Sequence, residues 1–544
     1  MFPFLISFLF FVYLAFLDFT VFDMSNHLFF SKHYKENWFS LIEPKLSDGL
    51  DLSTYPPLTH QIIALFSFVF PLKMSYYIVL IIFWILLSYF SAKFFIDYLK
   101  IKNNNFWLVY LFIFFSSGIL ITLFVFGQIT TIVGLAFGFI SLYWFNKFLK
   151  GRQLRNLFLS SLSLSLSAFS HNLSFLIITF FYLFIFVFEW KVILRKLKQF
   201  MLFLFCSFIL ISIIYYPMID KAFAGHIVPQ KEIPHWSRHS FIYSLNFQRW
   251  FLIYGFSIFM LALPIFIFVS KIKNWKDFLK LYSIAIFFLI LGLGRTTPIT
   301  KMFGGLEYWL TYERFALISS IVLIAFFALF IQRIPVIKVS YKKYDINFLL
   351  IIFLILFIWI NINGLYHSHN LFFGHPVKVS DNKRQEITNY VLNFLNNASA
   401  EYRYQSFGYG RPIGDIYLYS KLSTLDTDYF TGRTIDWIRN SGIDEIDQIR
   451  DKNFLDKFMD HSNEYSVKYI ITFTDFYHQH MKSYNWKLLE SKSFDERIVM
   501  IWENPNEVKE ISLQKKHISL FNYLWGIVPL IVLLIFLILA LKYS

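Results

Sequence analysis

Apolar runs recur along this chain from Phe2 to Leu541, and no other feature constrains its fold as strongly. A helix needs ~20 such residues to cross ~30 Å of hydrocarbon, and there every backbone polar group must be satisfied within the segment. Only 16% of the 544 residues are charged while 57% are hydrophobic and 22% aromatic, against roughly 25% charged in soluble proteins. The chain reads as an α-helical polytopic membrane protein with about twelve transmembrane helices. Its first run lacks a basic n-region and a small-residue cleavage site and is read as a retained span. The single cysteine, Cys206, lies in an apolar run and excludes an intrachain disulfide or a thiolate metal site.

The net charge of +15 speaks for topology and not for nucleic acid, because the basic residues fall in alternate short loops. Lys100 and Lys102, then Lys147 to Arg155, Lys191 to Lys198, Lys271 to Lys280 and Arg333 to Lys343 all face the cytoplasm by the positive-inside rule. The expected spans are residues 2–21, 76–96, 106–126, 129–145, 157–170, 173–190, 200–216, 250–269, 278–293, 315–331, 348–364 and 521–541. Counting 57–71 as a further span would reverse every later loop, so this run is read as an interfacial or re-entrant helix. Residues 1–365 then form a transmembrane domain with a large first outer loop, 22–74. Residues 366–519, with the soluble patterns "KRQEITNYVLNFLNN" and "SVKYIITFTD", form an extracytoplasmic mixed α/β domain. Residues 520–544 are a final span, and both termini are cytoplasmic. The serine-alternating "SSLSLSLSAFS" lies between helical spans and is read as a buried helix.

Polar residues at the outer ends of the spans are the candidates for chemistry. Asp23 and His27 are four apart, share a helical face and stand at the membrane mouth, where a partly desolvated carboxylate can act as general base on a hydroxyl. The competing reading is that Asp23 and Asn26 cap a helix. Asp18, about one turn deeper, is the alternative acid or a partner that tunes Asp23. Tyr55, ahead of Pro56 and Pro57, suits the interface. His60 and Asp51 are read as joining Asp23 and His27 at a divalent cation in one alternative, although the spacing matches no compact metal motif. Gln128 sits at a tight "FGQITT" bend, and His171 at the turn "SHNL", as a binding residue or a cap. His239 lies in a proline-limited loop that is read as a substrate lid or as only a rigid surface loop. In "LGLGRTTPITKMFGGLEYWLTYERFALISS", Arg295 and Arg314 stand where topology needs no positive charge, and a guanidinium there suits a lipid-linked phosphate. Glu313 neutralising an arginine, or Arg314 snorkelling, is the plainer alternative.

A first span ending in an acid, an outer loop with "YPPL", a "GQ" turn, a histidine-bearing turn, "LGLGRTTP" followed by "YERF" and an outer C-terminal domain together resemble the GT-C glycosyltransferase superfamily. Within it they resemble the prokaryotic membrane proteins labelled 6-pyruvoyl-tetrahydropterin synthase-related, a label that implies no pterin chemistry here. The resemblance implies a GT-C-like membrane domain and a polyprenyl-phosphate sugar as donor. It implies Asp23 as the base that deprotonates an acceptor hydroxyl, His27 beside it, and Arg314 near the donor phosphate, with Arg295, Glu313, Tyr55, Gln128, His171 and His239 around the substrates. The turn "SSGILITLFVFGQITT" contains no acid, which disfavours a metal-dependent oligosaccharyltransferase. The expected activity is therefore transfer of a hexosyl or pentosyl unit to an extracytoplasmic glycan, lipid or protein, without cofactor or metal. A transporter or flippase is the alternative, although transporters place ionisable residues near the midplane. A third reading is a scaffold that binds an envelope polymer. In the C-terminal domain, "YRYQSFGYGRPIGD" is read either as an acceptor-holding surface of aromatics and amides or as a packing platform.

Overall fold

The computed structural model describes residues 2–16, 23–100, 106–151, 153–223, 275–295, 297–304, 310–331, 338–341, 344–373, 380–410, 413–425, 432–443, 445–494, 497–511 and 519–543. Of the expected site residues, Asp18 and His239 lie outside this set, as does the expected span 250–269.

The helical part begins with α1 (Phe2–Phe16), α2 (Met24–Glu36), α3 (Leu58–Ser67) and α4 (Leu72–Tyr98). It continues with α5 (Phe106–Phe114), α6 (Ser117–Phe124), α7 (Ile129–Gly151), α8 (Leu154–Ser170), α9 (Asn172–Phe188), α10 (Trp190–Leu194) and α11 (Leu197–Phe223). After the segment outside the described residues come α12 (Trp275–Gly292), α13 (Glu313–Ile331) and α14 (Phe348–Phe373). Four described helices, α4, α7, α11 and the last helix α19 (Leu520–Tyr543), are long and apolar enough to cross a membrane. The pair α5 and α6 makes a fifth if counted as one span. The expectation of about twelve spans is not met by length and composition among the described residues: α1 is described for 15 residues and α9 for 17, and α12 carries Lys276, Asp277 and Lys280 in its first turns.

The expected unbroken span 106–126 is instead two helices bent by 42°. Ser116 is extended, with φ −68° and ψ 137°, and the Asn361 side chain on α14 accepts from the Ser117 N–H at 2.6 Å. A side-chain acceptor thus replaces the helical one, which is how a broken apolar helix keeps its backbone satisfied. The serine-rich stretch forms α8, buried against α7. Ser167 donates to the Gly134 carbonyl at 2.7 Å, and Ser141, Ser160 and the Tyr182 hydroxyl bond to one another. Where α7 meets α9, a Cβ at Gly138 would lie 2.2 Å from Cγ1 of Ile178, so the absence of a side chain sets the helix separation.

Pro529 lies inside α19 and has no N–H for the carbonyl of Trp525 four residues earlier. Gln61 on α3 reaches that carbonyl at 3.3 Å and the Gly526 carbonyl at 3.2 Å, and Trp38 donates to Gly526 at 3.0 Å. The last helix is thereby keyed to the loop between α1 and α4.

Two short antiparallel pairs precede the main sheet. They are β1 (Ile42–Glu43) with β2 (Leu50–Asp51) in the first loop, and β3 (Lys338–Tyr341) with β4 (Tyr344–Asn347) ahead of α14. Residues 380–511 hold an α/β unit. Its five-stranded sheet has the order β6-β5-β7-β9-β8, formed by β5 (Arg403–Phe407), β6 (Ser423–Thr424), β7 (Val467–Thr472), β8 (Lys487–Phe494) and β9 (Arg497–Glu503). β5 pairs in parallel with β6 and β7, and β9 runs antiparallel to β7 and β8. Helices α15 (Ser380–Asn397), α16 (Ile413–Tyr419), α17 (Lys452–His461) and α18 (Asp475–Ser483) accompany it. The first loop reaches into this unit: Leu46 bridges Thr424 in parallel, and Arg403 pairs with Asp48 at 3.1 Å. Of the two readings of "YRYQSFGYGRPIGD", the burial of Tyr404, Gln405 and Tyr409 agrees with the packing platform. Its aromatics serve the core between β5 and its neighbours.

Candidate active site

The turn between α6 and α7 positions three of the expected residues. Gly127 takes φ 70°, a conformation side chains disfavour, and this lets the chain reverse at once. Next to it, the Phe126 carbonyl accepts from the Asp23 N–H at 3.0 Å, and the Gly127 carbonyl accepts from the Tyr76 hydroxyl at 3.3 Å. Gln128 follows, buried, with its Oε1 accepting from Nε of Arg314 at 3.1 Å.

Asp23 occupies the N-cap position of α2, but its side chain makes no capping bond. Instead its charge is felt at Tyr55 and Tyr76. Asn26 does not cap either; its Oδ1 accepts from the Tyr417 hydroxyl. His27 lies one turn on, its N–H donating to the Asp23 carbonyl at 3.1 Å. Asp23 as N-cap and His27 in the first turn of α2 are thus brought together by the start of that helix.

His27 and His60 bond directly, Nδ1 to Nε2, at 3.0 Å with their rings stacked. Both are buried. Burial and the Arg314 charge lower His27 to about 3, and burial followed by His27 holds His60 well below the ordinary range. The Tyr55 ring packs against His60 with centroids 5.5 Å apart, and its hydroxyl bonds Thr130 at 2.8 Å. Burial raises the Tyr55 hydroxyl despite Arg314 and the Thr130 bond, so it stays protonated.

Arg314, in the first turn of α13, is held by two acceptors, Gln128 at Nε and His171 Nε2 at Nη1, the latter at 3.1 Å. His171 also faces the Ser174 N–H at 3.2 Å and the Ser174 hydroxyl at 2.9 Å through Nδ1. A neutral imidazole has one lone pair, so it cannot accept at both nitrogens. The guanidinium is the stronger donor and never gives up its charge, so Nε2 accepts from Arg314 and Nδ1–H donates to Ser174 Oγ. That hydroxyl donates onward to the Thr131 carbonyl at 3.0 Å, and in this tautomer the nearby Ser174 N–H gains no bond from Nδ1. Burial, then Arg314, then His27 hold His171 well below its ordinary value, which keeps this tautomer neutral. Glu313 is 3.9 Å from Arg314 Nε, too long for a hydrogen bond. Among the described residues Nη2 of Arg314 has no hydrogen-bond partner, and the side chain keeps 15% exposure. The arrangement presents a fixed cation among neutral histidines, with a carboxylate on the adjoining helix start.

Asp51 is not part of this corner. Its carboxylate accepts from the Ser53 N–H at 3.0 Å and is paired with Lys221 at the end of α11. Of the four residues of the divalent-cation alternative, Asp51 is thus paired with a lysine, and His27 and His60 are bonded to each other. No group of three metal-ligating side chains occurs among the described residues. Arg295 lies in the loop after α12, its carbonyl accepting from Thr300 at 2.7 Å. The sequence reading missed three connections: His60 as direct partner of His27, Ser174 and Thr131 behind His171, and Tyr76 beside Asp23. The adjacency of "SHNLS" to a helix start was a usable signal for Ser174, whereas the His27 to His60 bond spans two helices and had none.

No protein-family model matches the chain, and no curated protein sequence does. Solved structures do match, and they share the fold of this chain at low sequence identity. ArnT from Cupriavidus metallidurans bound to undecaprenyl phosphate superposes with a TM-score of 0.53 at 12% identity, covering 94% of this chain and 99% of that one. The mycobacterial arabinofuranosyltransferase AftD, as a mutant, gives a TM-score of 0.53 at 12% identity over 93% of this chain. The chain spans 42% of AftD's length.

Proposed function

We propose that this protein is a membrane glycosyltransferase that moves a sugar from a polyprenyl-phosphate donor to an extracytoplasmic glycan, lipid or protein. The observation that carries the reading is Arg314, a permanent cation aimed by Gln128 and His171 beside the loop that bears Asp23. The ArnT structure holds undecaprenyl phosphate in the same fold, which supports a lipid-linked phosphate as the group recognised. A donor that diffuses in the bilayer keeps its scissile bond at headgroup level, where helix ends meet.

In this mechanism Asp23 accepts the proton of the acceptor hydroxyl as its oxygen attacks the anomeric carbon. The bond from that carbon to the phosphate oxygen breaks, and the electron pair leaves with the polyprenyl phosphate. Arg314 stabilises the charge developing there through the N–H groups not spent on Gln128 and His171. His27, His60 and His171 stay neutral, so they do not compete for the anion and contribute packing and hydrogen bonds in place of charge. Asp18 and His239 remain candidates as a partner of Asp23 and a lid residue. The narrower kinship with the 6-pyruvoyl-tetrahydropterin synthase-related membrane proteins, an extracytoplasmic α/β unit and cytoplasmic termini belong to the same proposal.

Purified protein is assayed with a panel of radiolabelled polyprenyl-phosphate sugars, wild type beside Asp23→Asn. Transfer from one donor that falls at least ~10³-fold in the variant supports the reading, on the scale of losing a catalytic base. Undiminished transfer removes Asp23 as base, and substrate flux into vesicles without any transfer favours a transporter.

A further inference from the structure

The α/β unit touches the start of α2 at three consecutive turns of side chains. Ser25 Oγ donates to Asp415 Oδ1 at 2.6 Å. The Tyr417 hydroxyl donates to Asn26 Oδ1, and Lys32 Nζ donates to the Leu418 carbonyl at 2.9 Å. Phe29 packs edge-on against the Tyr417 ring with centroids 5.1 Å apart. The approach is as close as chains allow: a Cβ on Gly414 would lie 2.4 Å from the Cβ of Ser25, so only glycine fits there. Every α2 partner named here lies on α16.

α16 is itself anchored from behind. It follows the end of β5 through a loop that needs positive φ at Gly408 and Gly410, 84° and 88°. Asp447 holds that loop by accepting from Ser406 Oγ at 2.8 Å and from the Gly410 N–H at 2.7 Å. Its own carbonyl accepts from the Gly408 N–H at 2.6 Å. Hydrogen bonds therefore tie down both the loop that leaves β5 and the contact of α16 with Ser25 and Asn26, which follow Asp23 by two and three residues.

We propose that α16 of the α/β unit is a clamp that fixes the direction of the Asp23 carboxylate, with Asp415 as the positioning residue. The inference rests on the reading of Asp23 as base for its kinetic consequence only; the clamp itself is a contact between α16 and α2. Asp415 touches no reacting atom and acts through the Ser25 hydroxyl. An error of about 1 Å in a reacting group costs on the order of 10²-fold in rate, so a loosened Ser25 lowers kcat by about tenfold while leaving the donor KM, set by Arg314, unchanged.

The test uses the full-length protein in nanodiscs with three variants, Ser25→Ala, Asp415→Ala and Asp415→Asn, read by hydrogen exchange and by transfer kinetics. Asn at 415 keeps an acceptor for the Ser25 hydroxyl. The clamp predicts that amides 24–30 exchange about tenfold faster in Ser25→Ala and Asp415→Ala, with residues 467–503 unchanged, and near wild-type behaviour in Asp415→Asn. It predicts that kcat divides the variants in the same way at constant donor KM. Unchanged exchange in both alanine variants overturns it, as does an Asp415→Asn variant as impaired as Asp415→Ala. Ser25 lies outside the α/β unit, so its variant decides the matter if Asp415→Ala unfolds that unit. Should the wild type transfer no sugar at all, the catalytic reading fails, and the exchange data still accept or reject the clamp.

Discussion

Two buried polar centres in this molecule are built on opposite plans. In the α/β unit, Asp447 is fully inside, and both of its oxygens are occupied by donors from Ser406, Gly410 and Gln448. In the corner between the helices, Arg314 is held by two acceptors while part of its donor capacity points at no protein group among the described residues. A saturated polar centre fixes a loop and has nothing left to offer a ligand. An incompletely satisfied cation, beside histidines kept neutral by burial and, at His27 and His171, also by its field, suits the anion of the proposed donor.

The largest effect that sharpens this contrast is on the cation. Replacing Arg314 by Ala is expected to lower kcat/KM by about 10²- to 10³-fold, the scale of losing one preorganised donor to a developing anion. Arg314→Lys recovers little, because a single ammonium cannot reproduce the two-point grip on Gln128 and His171; steady-state kinetics with a polyprenyl-phosphate sugar checks both. Next comes Asp447→Ala. It leaves the Ser406 hydroxyl, the Gly410 N–H and the Gln448 amide without their acceptor and costs the α/β unit about 3 kcal/mol of stability, measured by pulse proteolysis of the full-length protein. Its effect on transfer is no larger than that of loosening α16. A smaller loss, about tenfold in kcat/KM, is expected for His171→Phe. His171→Gln, whose side-chain carbonyl can still accept from Arg314, stays within a few-fold of wild type.

The smallest and most discriminating effect is in pH. Burial raises Asp447 from 3.8 to about 6, so between these values the folded unit binds more protons than the unfolded chain. Its stability is full below about pH 4 and declines as pH rises towards 6. His27 behaves oppositely: lowered from 6.5 to about 3, it contributes fully above pH 6.5 and loses its contribution as pH falls. Hydrogen exchange corrected for intrinsic rate, followed from pH 4 to pH 6, should therefore show protection falling around residues 403–419 and rising in α2. Parallel slopes in the two regions would break the comparison.

Much of the corner was legible in the sequence because its residues sit where apolar runs end. Asp23, Gln128, His171 and Arg314 all occupy turns or first helical turns, where a polar side chain is conspicuous against the surrounding Phe, Leu and Ile. The bond between His27 and His60 was not legible, since it depends on how α2 and α3 pack. Nor was the contact of Ser25 with Asp415, which joins residues 390 positions apart. In "YRYQSFGYGRPIGD" composition left two readings open: aromatics that suit a sugar also suit a core, and β5 sits second from the edge of its sheet with neighbours on both sides. The break at Ser116 was hidden for a similar reason, because Asn361, the residue that compensates it, belongs to a helix far along the chain.

The central claim is that the Arg314 corner recognises a lipid-linked phosphate. It is tested most directly by titrating the purified protein with a short polyprenyl phosphate and with the matching polyprenol, wild type beside Arg314→Ala. The account predicts that the wild type prefers the phosphate by about 100-fold or more, on the scale of removing a charge-assisted hydrogen bond from a partly buried site. It predicts that Arg314→Ala binds the two lipids almost equally. A phosphate preference that survives the loss of Arg314 would contradict it.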